Sequence, residues 1–148
     1  MSNTPECLCI ELRTAAQQLT SLYDRALEAS GITITQFSLL HKIQVLETPT
    51  VKALAEVTGL DRSTLGRNLR VLVKQGLITM APGDDARTRM IRVSRKGKGA
   101  FQRAVNPWLE TQTTLTEQLG EQGREQLTSL LQMLTASADK QTAEEATV

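Results

Sequence analysis

Leu54-Ala55-Glu56-Val57-Thr58-Gly59-Leu60-Asp61-Arg62-Ser63-Thr64-Leu65-Gly66-Arg67-Asn68-Leu69-Arg70-Val71-Leu72-Val73-Lys74-Gln75-Gly76-Leu77-Ile78 decides the fold of this chain. Gly59, four residues after Ala55, stands where a short helix must stop and let the chain turn, because glycine enters the left-handed region without steric cost. Asp61 then offers a carboxylate to the free N–H groups of a second helix, which should run to about Gln75 and close at Gly76. Upstream, Thr48-Pro49 breaks the chain, and Thr50 can cap a short helix holding Val51, Leu54, Ala55 and Val57. Two short helices meeting at a glycine turn are a helix-turn-helix.

Downstream, strands are expected at 77–81 and 88–93. The segment between them, Pro82-Gly83-Asp84-Asp85-Ala86-Arg87, has the composition of a turn. Ser94 opens a long helix to about Leu119, with Phe101, Ala104, Val105, Trp108, Leu115 and Leu119 facing inward and Pro107 expected to kink it. A last helix from about Glu121 to Asp139 carries Leu127, Leu130, Leu131 and Leu134, and the polar, acidic run 142–148 is expected to fray. Upstream of the central stretch, Cys7 to Ser30 reads as a helix with Leu8, Leu12, Ala15, Leu19, Leu22 and Ala26 on one stripe. Gly31 ends it, and Thr33 or Thr35 caps another helix to about Leu46, with Phe37, Leu40 and Ile43 inward.

The fold class is therefore mainly α with a small β-hairpin wing. A single domain over 1–148 is expected, with a winged helix-turn-helix lobe over about 33–94 and dimerisation helices over about 7–30 and 95–139. The terminal stripes are more apolar than a small monomer needs, and a homodimer burying them is the simplest use for them.

Charge points to the partner. Between Lys52 and Arg103 lie twelve Lys or Arg against four acids, a net of +8, while the rest of the chain nets −7. The overall +1 conceals a basic middle on an acidic frame, the footprint of a protein that holds a polyanion, double-stranded DNA above all. On the helix after Asp61, Leu65, Leu69, Leu72 and Val73 fall on one side; Ser63, Arg67, Arg70 and Lys74 line the other, flanked by Thr64 and Gly66. Charged stripes on helices are mostly solvated faces. This one sits beside a helix-turn-helix, a strand starting at Leu77 and a hairpin tipped with Arg87 and Arg89, and the combination suits a helix lying in the major groove.

Composition closes other doors. At 3% aromatic the chain lacks the stacking platforms of single-strand binders. No apolar run approaches bilayer length and no basic-then-apolar leader precedes Cys7, so no membrane partner is expected and the cytoplasm is the default compartment. Two cysteines two residues apart cannot staple a fold. With one histidine, no nucleophile elbow and no phosphate loop, no catalytic constellation, cofactor or metal site is visible, so an enzyme is not expected.

Leu54-Ala55, Gly59 to Arg67 and Leu72 to Ile78 closely resemble the MarR family of bacterial transcription regulators, as does Asp85-Ala86-Arg87-Thr88-Arg89 followed by Val93 to Gly97. The resemblance implies a homodimeric winged-helix repressor on a pseudo-palindromic operator. It implies Ser63, Thr64 and Arg67 at bases or phosphates of the major groove, and Arg87 in the minor groove with Asp85 and Arg89 bracing the wing. An inserted guanidinium suits the concentrated negative potential of a narrow minor groove. Family wings commonly carry Thr where this chain has Ser94, and either residue can cap.

The segments Leu8-Cys9-Ile10, Thr20 to Tyr23 and Gly31 to Phe37 are similar to the organic-hydroperoxide sensors of that family. That similarity implies a reactive thiol at Cys9 and a tyrosine partner at Tyr23. Arg13 and Ile34 stand where those sensors carry two further tyrosines, and Arg13 could still favour a thiolate. Read as helical, Cys7 and Cys9 point about 200° apart, so a bridge between subunits is easier to picture than one between neighbours. The family resemblance also implies a competing switch, a small phenolic or aromatic acid in a crevice lined here by Leu12, Ala16, Tyr23, Phe37 and His41. The alternative functions are a nonspecific or architectural DNA-binding protein, with a steep salt slope and no sequence discrimination, and a protein-interaction module indifferent to Arg87.

Overall fold

Each helix of the lobe begins at a side chain that satisfies orphan N–H groups, and the caps expected from sequence are the caps observed. The computed structural model describes residues 7–85 and 87–145. Helix α1 spans Leu8–Leu27 and is followed by a 3-10 turn, Glu28–Ser30, which Gly31 ends at φ 78°. Helix α2, Ile34–Val45, starts at Thr33 rather than Thr35. Thr33 Oγ1 accepts from the Gln36 N–H at 3.2 Å and Gln36 Oε1 accepts from the Thr33 N–H at 3.0 Å, a reciprocal capping box. Helix α3, Val51–Thr58, is capped by Thr50 and ends at Gly59 with φ 66°; helix α4, Arg62–Lys74, is capped by Asp61.

Strands β1, Ile78–Pro82, and β2, Arg89–Val93, pair antiparallel, with Ile78 opposite Val93 and Pro82 opposite Arg89. Each starts one residue later than expected: the Leu77 N–H donates to the Leu72 carbonyl at the end of α4, at 2.9 Å, and Thr88 is held in the turn by its bonds to Asp85 and Gly83. A bridge between Thr50 and Met90, with the Ile91 N–H donating to the Pro49 carbonyl at 2.9 Å, ties the start of α3 to the wing's inner strand.

The core gathers Phe37, Leu40, Ile43, Leu54, Leu65, Leu69, Leu72, Ile78 and Ile91, one apolar set drawn from α2, α3, α4 and the wing. Val73 was expected on the buried side of α4 but is 43% exposed. It lies about 80° round the helix from Leu65, past the arc centred on Leu65, Leu69 and Leu72. The wing is locked to the next helix at Ser94, whose hydroxyl donates to the Gly76 carbonyl at 2.6 Å and accepts from the Gly97 N–H at 2.9 Å. A Cβ at Gly97 would overlap the Leu77 carbonyl oxygen, so the close approach of this helix to β1 requires glycine there.

That last helical run, α5, covers Arg95–Glu145. The break expected between Leu119 and Glu121 is found at Gly120, where the backbone leaves helical geometry with φ 69° and ψ 168°, while Pro107 lies inside the helix. Proline's fixed φ of about −65° is itself helical, whereas glycine alone enters positive φ cheaply. The helix also runs past Asp139, and part of the segment expected to fray is helical to Glu145; 146–148 lie outside the described residues. The chain divides into two compact units, residues 1–108 and 109–148. In the first, α1 leaves Leu8, Leu12, Leu19 and Leu22 exposed, Leu8 at 61%; in the second, Leu127, Leu130, Leu131 and Leu134 are exposed, and Leu119, expected inward, is 49% exposed.

Candidate nucleic-acid interface

The N-terminal end of α4 is organised by one carboxylate. Asp61 Oδ1 accepts the Ser63 hydroxyl at 2.6 Å and the Thr64 N–H at 2.8 Å, and Oδ2 accepts the Thr64 hydroxyl at 2.6 Å. These bonds, the Ser63 hydroxyl's foremost and then those of Thr64, hold the Asp61 carboxyl far below the usual carboxylate range. Arg67 reaches back, a guanidinium nitrogen donating to Thr64 Oγ1 at 3.3 Å. Ser63, Arg67, Arg70 and Lys74 are all exposed, on the side opposite the buried Leu65, Leu69 and Leu72. The sequence-expected face is thus one continuous surface of hydroxyls followed by cations.

The wing tip is braced from within. Asp85 Oδ1 accepts the Arg87 N–H at 3.1 Å, the Asp85 carbonyl accepts the Thr88 N–H at 2.9 Å, and the Gly83 N–H closes onto the Thr88 carbonyl at 2.7 Å. Ala86 lies outside the described residues. The Asp85 carboxylate is spent on backbone, which leaves the Arg87 and Arg89 side chains exposed.

Between the turn end of the wing and the start of α3 is a cleft of about 510 Å³ whose lining includes Thr50, Lys52, Arg62, Arg87, Thr88 and Arg89. Four cations converge there, and among the described residues none of them has an ion-pair partner. Lys52 and Arg62 belong to the basic middle of the chain, but no motif in the sequence assigns either to the interface. They sit on different helices, and only the bridge from Pro49 and Thr50 to β2 brings them beside the wing.

The residues singled out for sensing are dispersed. Cys7 and Cys9 are free thiols, both exposed; Cys7 is the extended cap residue before α1, so only Cys9 is helical. Arg13 is exposed one turn beyond Cys9. Tyr23 is half-buried, and burial pushes its phenol above the ordinary value. Phe37 is buried against Phe101 and Trp108, with ring centroids 4.7 and 5.4 Å away, and the exposed His41 ring stacks on Phe101 at 6.0 Å. An aromatic guest beside Phe37 would have to displace one of these rings. No helix among the described residues is long and apolar enough to cross a membrane.

Comparison with known proteins supplies the context for this surface. The MarR family profile matches residues 30–88. No curated protein matches the chain in sequence. The structure is similar to the Mycobacterium tuberculosis transcriptional regulator MosR in complex with DNA, at 40% identity and a TM-score of 0.79, covering 89% of this chain and 98% of that one. A probable transcriptional regulator from Pseudomonas aeruginosa is similar at 25% identity and a TM-score of 0.76, over 87% and 97% of the two chains. At the level of fold alone, MepR of Staphylococcus aureus in complex with DNA reaches a TM-score of 0.80 at 22% identity, over 89% and 98%. With a helix-turn-helix, a braced cationic wing and a relative this similar along nearly its whole length, the chain belongs to the MarR family of winged helix-turn-helix, DNA-binding transcriptional regulators, which are not enzymes.

Proposed function

We propose that two copies of this chain form a homodimeric, sequence-specific repressor that grips a pseudo-palindromic operator in the cytoplasm and lets go when the cysteines at the start of α1 are oxidised. The observation that carries the DNA half is the pairing of the α4 surface with the unpaired cations of the wing and its cleft. Ser63, Thr64 and Arg67, with Arg70 and Lys74 beyond them, lie in the major groove. Arg87 enters the minor groove, braced by Asp85, with Arg89 at its base. Lys52 and Arg62 take phosphates between the two, since an unpaired cation beside a groove releases counterions when it meets a phosphate. The terminal helices hold the dimer, burying the exposed leucines of α1 and of residues 109–134. The two-fold axis of such a dimer matches two half-sites one helical turn apart.

Oxidation is favoured over a phenolic effector for two reasons visible in the fold. Both thiols are exposed at the start of a helix whose apolar stripe is unpartnered, so a bridge or adduct there bears directly on the dimer. Phe37, by contrast, already packs against Phe101 and Trp108, so its ring is not free to stack on a guest.

The test is binding to a library of duplexes with a randomised centre, at several salt concentrations, using reduced and peroxide-treated protein beside Cys9→Ser. Enrichment of a two-fold-related sequence by three or more powers of ten over bulk duplex supports the regulator. Equal binding of all duplexes, with only a steep salt slope, would leave a nonspecific architectural protein. Release by peroxide that vanishes in Cys9→Ser supports the redox switch; release by salicylate with indifference to peroxide replaces it with the phenolic one.

A further inference from the structure

We propose that Asp61 sets which bases α4 can read, because by taking the hydroxyl protons of Ser63 and Thr64 it turns both side chains into hydrogen-bond acceptors toward DNA. The inference rests on the proposed seating of α4 in the major groove and adds a specificity rule to it. A hydroxyl carries one proton and two acceptor lone pairs. Ser63 gives its proton to Asp61 Oδ1 and Thr64 gives its own to Oδ2, both at 2.6 Å, the short range of charge-assisted bonds. The Thr64 N–H pins the same carboxylate at 2.8 Å, so it is not free to swing away. Exposed Ser63 keeps its lone pairs, and Thr64 keeps one after accepting from Arg67.

A free Ser or Thr reads bases ambiguously, as donor or acceptor. Here a donor role would require breaking a bond to an ionised carboxylate in exchange for a neutral base atom, a losing trade. The donors available in the major groove are the exocyclic amino groups of adenine and cytosine; guanine O6 and N7 and thymine O4 only accept. Phosphate oxygens only accept as well, and the Asp61 charge repels them. Ser63 and Thr64 therefore select adenine or cytosine on the strand they face. Arg67, which can only donate, takes guanine nearby. Asp61 touches no base in this scheme; it is a positioning residue.

The experiment is selection from a duplex library with about twenty randomised base pairs, comparing the wild type with Asp61→Asn, Ser63→Ala and Thr64→Val. Asn caps a helix as well as Asp, so the lobe should melt within about 3 °C of the wild type. Its amide donates an N–H to one hydroxyl and so frees that hydroxyl's proton. The positions flattened by Ser63→Ala or Thr64→Val should be adenine or cytosine in the wild type, preferred at least about tenfold. Asp61→Asn should admit guanine or thymine at those same positions, while the guanine preference attributed to Arg67 persists. A purine acceptor or thymine already preferred there by the wild type, an Asp61→Asn consensus that superposes on the wild type, or no position flattened by either hydroxyl deletion overturns the rule while leaving the regulator intact. If the Asn variant fails to fold, Asp61→Ser serves as the neutral cap. A wild-type protein that enriches no sequence at all sinks the major-groove reading and this rule together.

Discussion

The winged lobe and the terminal helices divide their apolar residues in opposite ways. In the lobe, Leu54, Leu65, Leu72 and Ile91 are fully buried within one chain, and the outer face of α4 carries hydroxyls and cations. On the terminal helices the leucines stay outside, Leu130 at 56% and Leu8 at 61% exposed. A region that closes its own core is free to spend its surface on a ligand. A region that leaves its stripe uncovered is built for another chain.

The sharpest way to break that contrast is to attack each region where it holds itself together. Leu65→Ala should cost about 2–5 kcal/mol, by lost burial and the cavity left behind, at every protein concentration; a melting curve shows it. Leu130→Glu with Leu134→Glu should spare the lobe but weaken self-association by about 2 kcal/mol or more, roughly thirtyfold. It should also abolish the dependence of the melting temperature on protein concentration, which sedimentation and melting at several dilutions would reveal. If the double variant melts like the wild type at all dilutions, the exposed stripe is not a subunit interface.

Smaller effects sharpen the contrast on the DNA side. Arg87→Ala should leave folding untouched and weaken duplex binding by about 1–3 kcal/mol, with the salt slope reduced by about one; a titration at several ionic strengths reads both. Asp61→Ala should lower the melting temperature through the lost cap, whereas Asp61→Asn should leave it nearly unchanged. Because the folded carboxyl of Asp61 is held below its unfolded value, its contribution is fully present above about pH 4 and is lost as the pH falls below that range. Acid titration of the wild type should therefore show a loss of stability that Asp61→Asn lacks.

Much of the lobe was legible because its signals are local. Thr50 and Asp61 cap, Gly59 turns, and the Leu65, Leu69, Leu72 spacing buries one arc, all within a turn or two of chain. The break at Gly120, between the helices expected to end at Leu119 and to begin at Glu121, was legible because glycine's freedom is what such a break requires. Misreadings fell where a distant contact intervened. Val73 continued the apolar stripe in sequence but lies beyond the arc that α2 and the wing cover. The stacking of Phe37 and His41 on Phe101, some sixty residues further on, is likewise a long-range contact that no local pattern announces.

The sequence by itself determined the order of elements, the caps that begin the helices, the cationic outer face of α4 and the basic middle of the chain, because each depends on residues near one another along the backbone. Only the tertiary structure decided that Lys52 and Arg62 join Arg87 and Arg89 in one cleft, and that Gly97 must be glycine where α5 meets β1. It also decided which stripes stay uncovered. These features arise from long-range packing, where segments far apart in the chain compete for the same space, and no local pattern encodes which of them wins it.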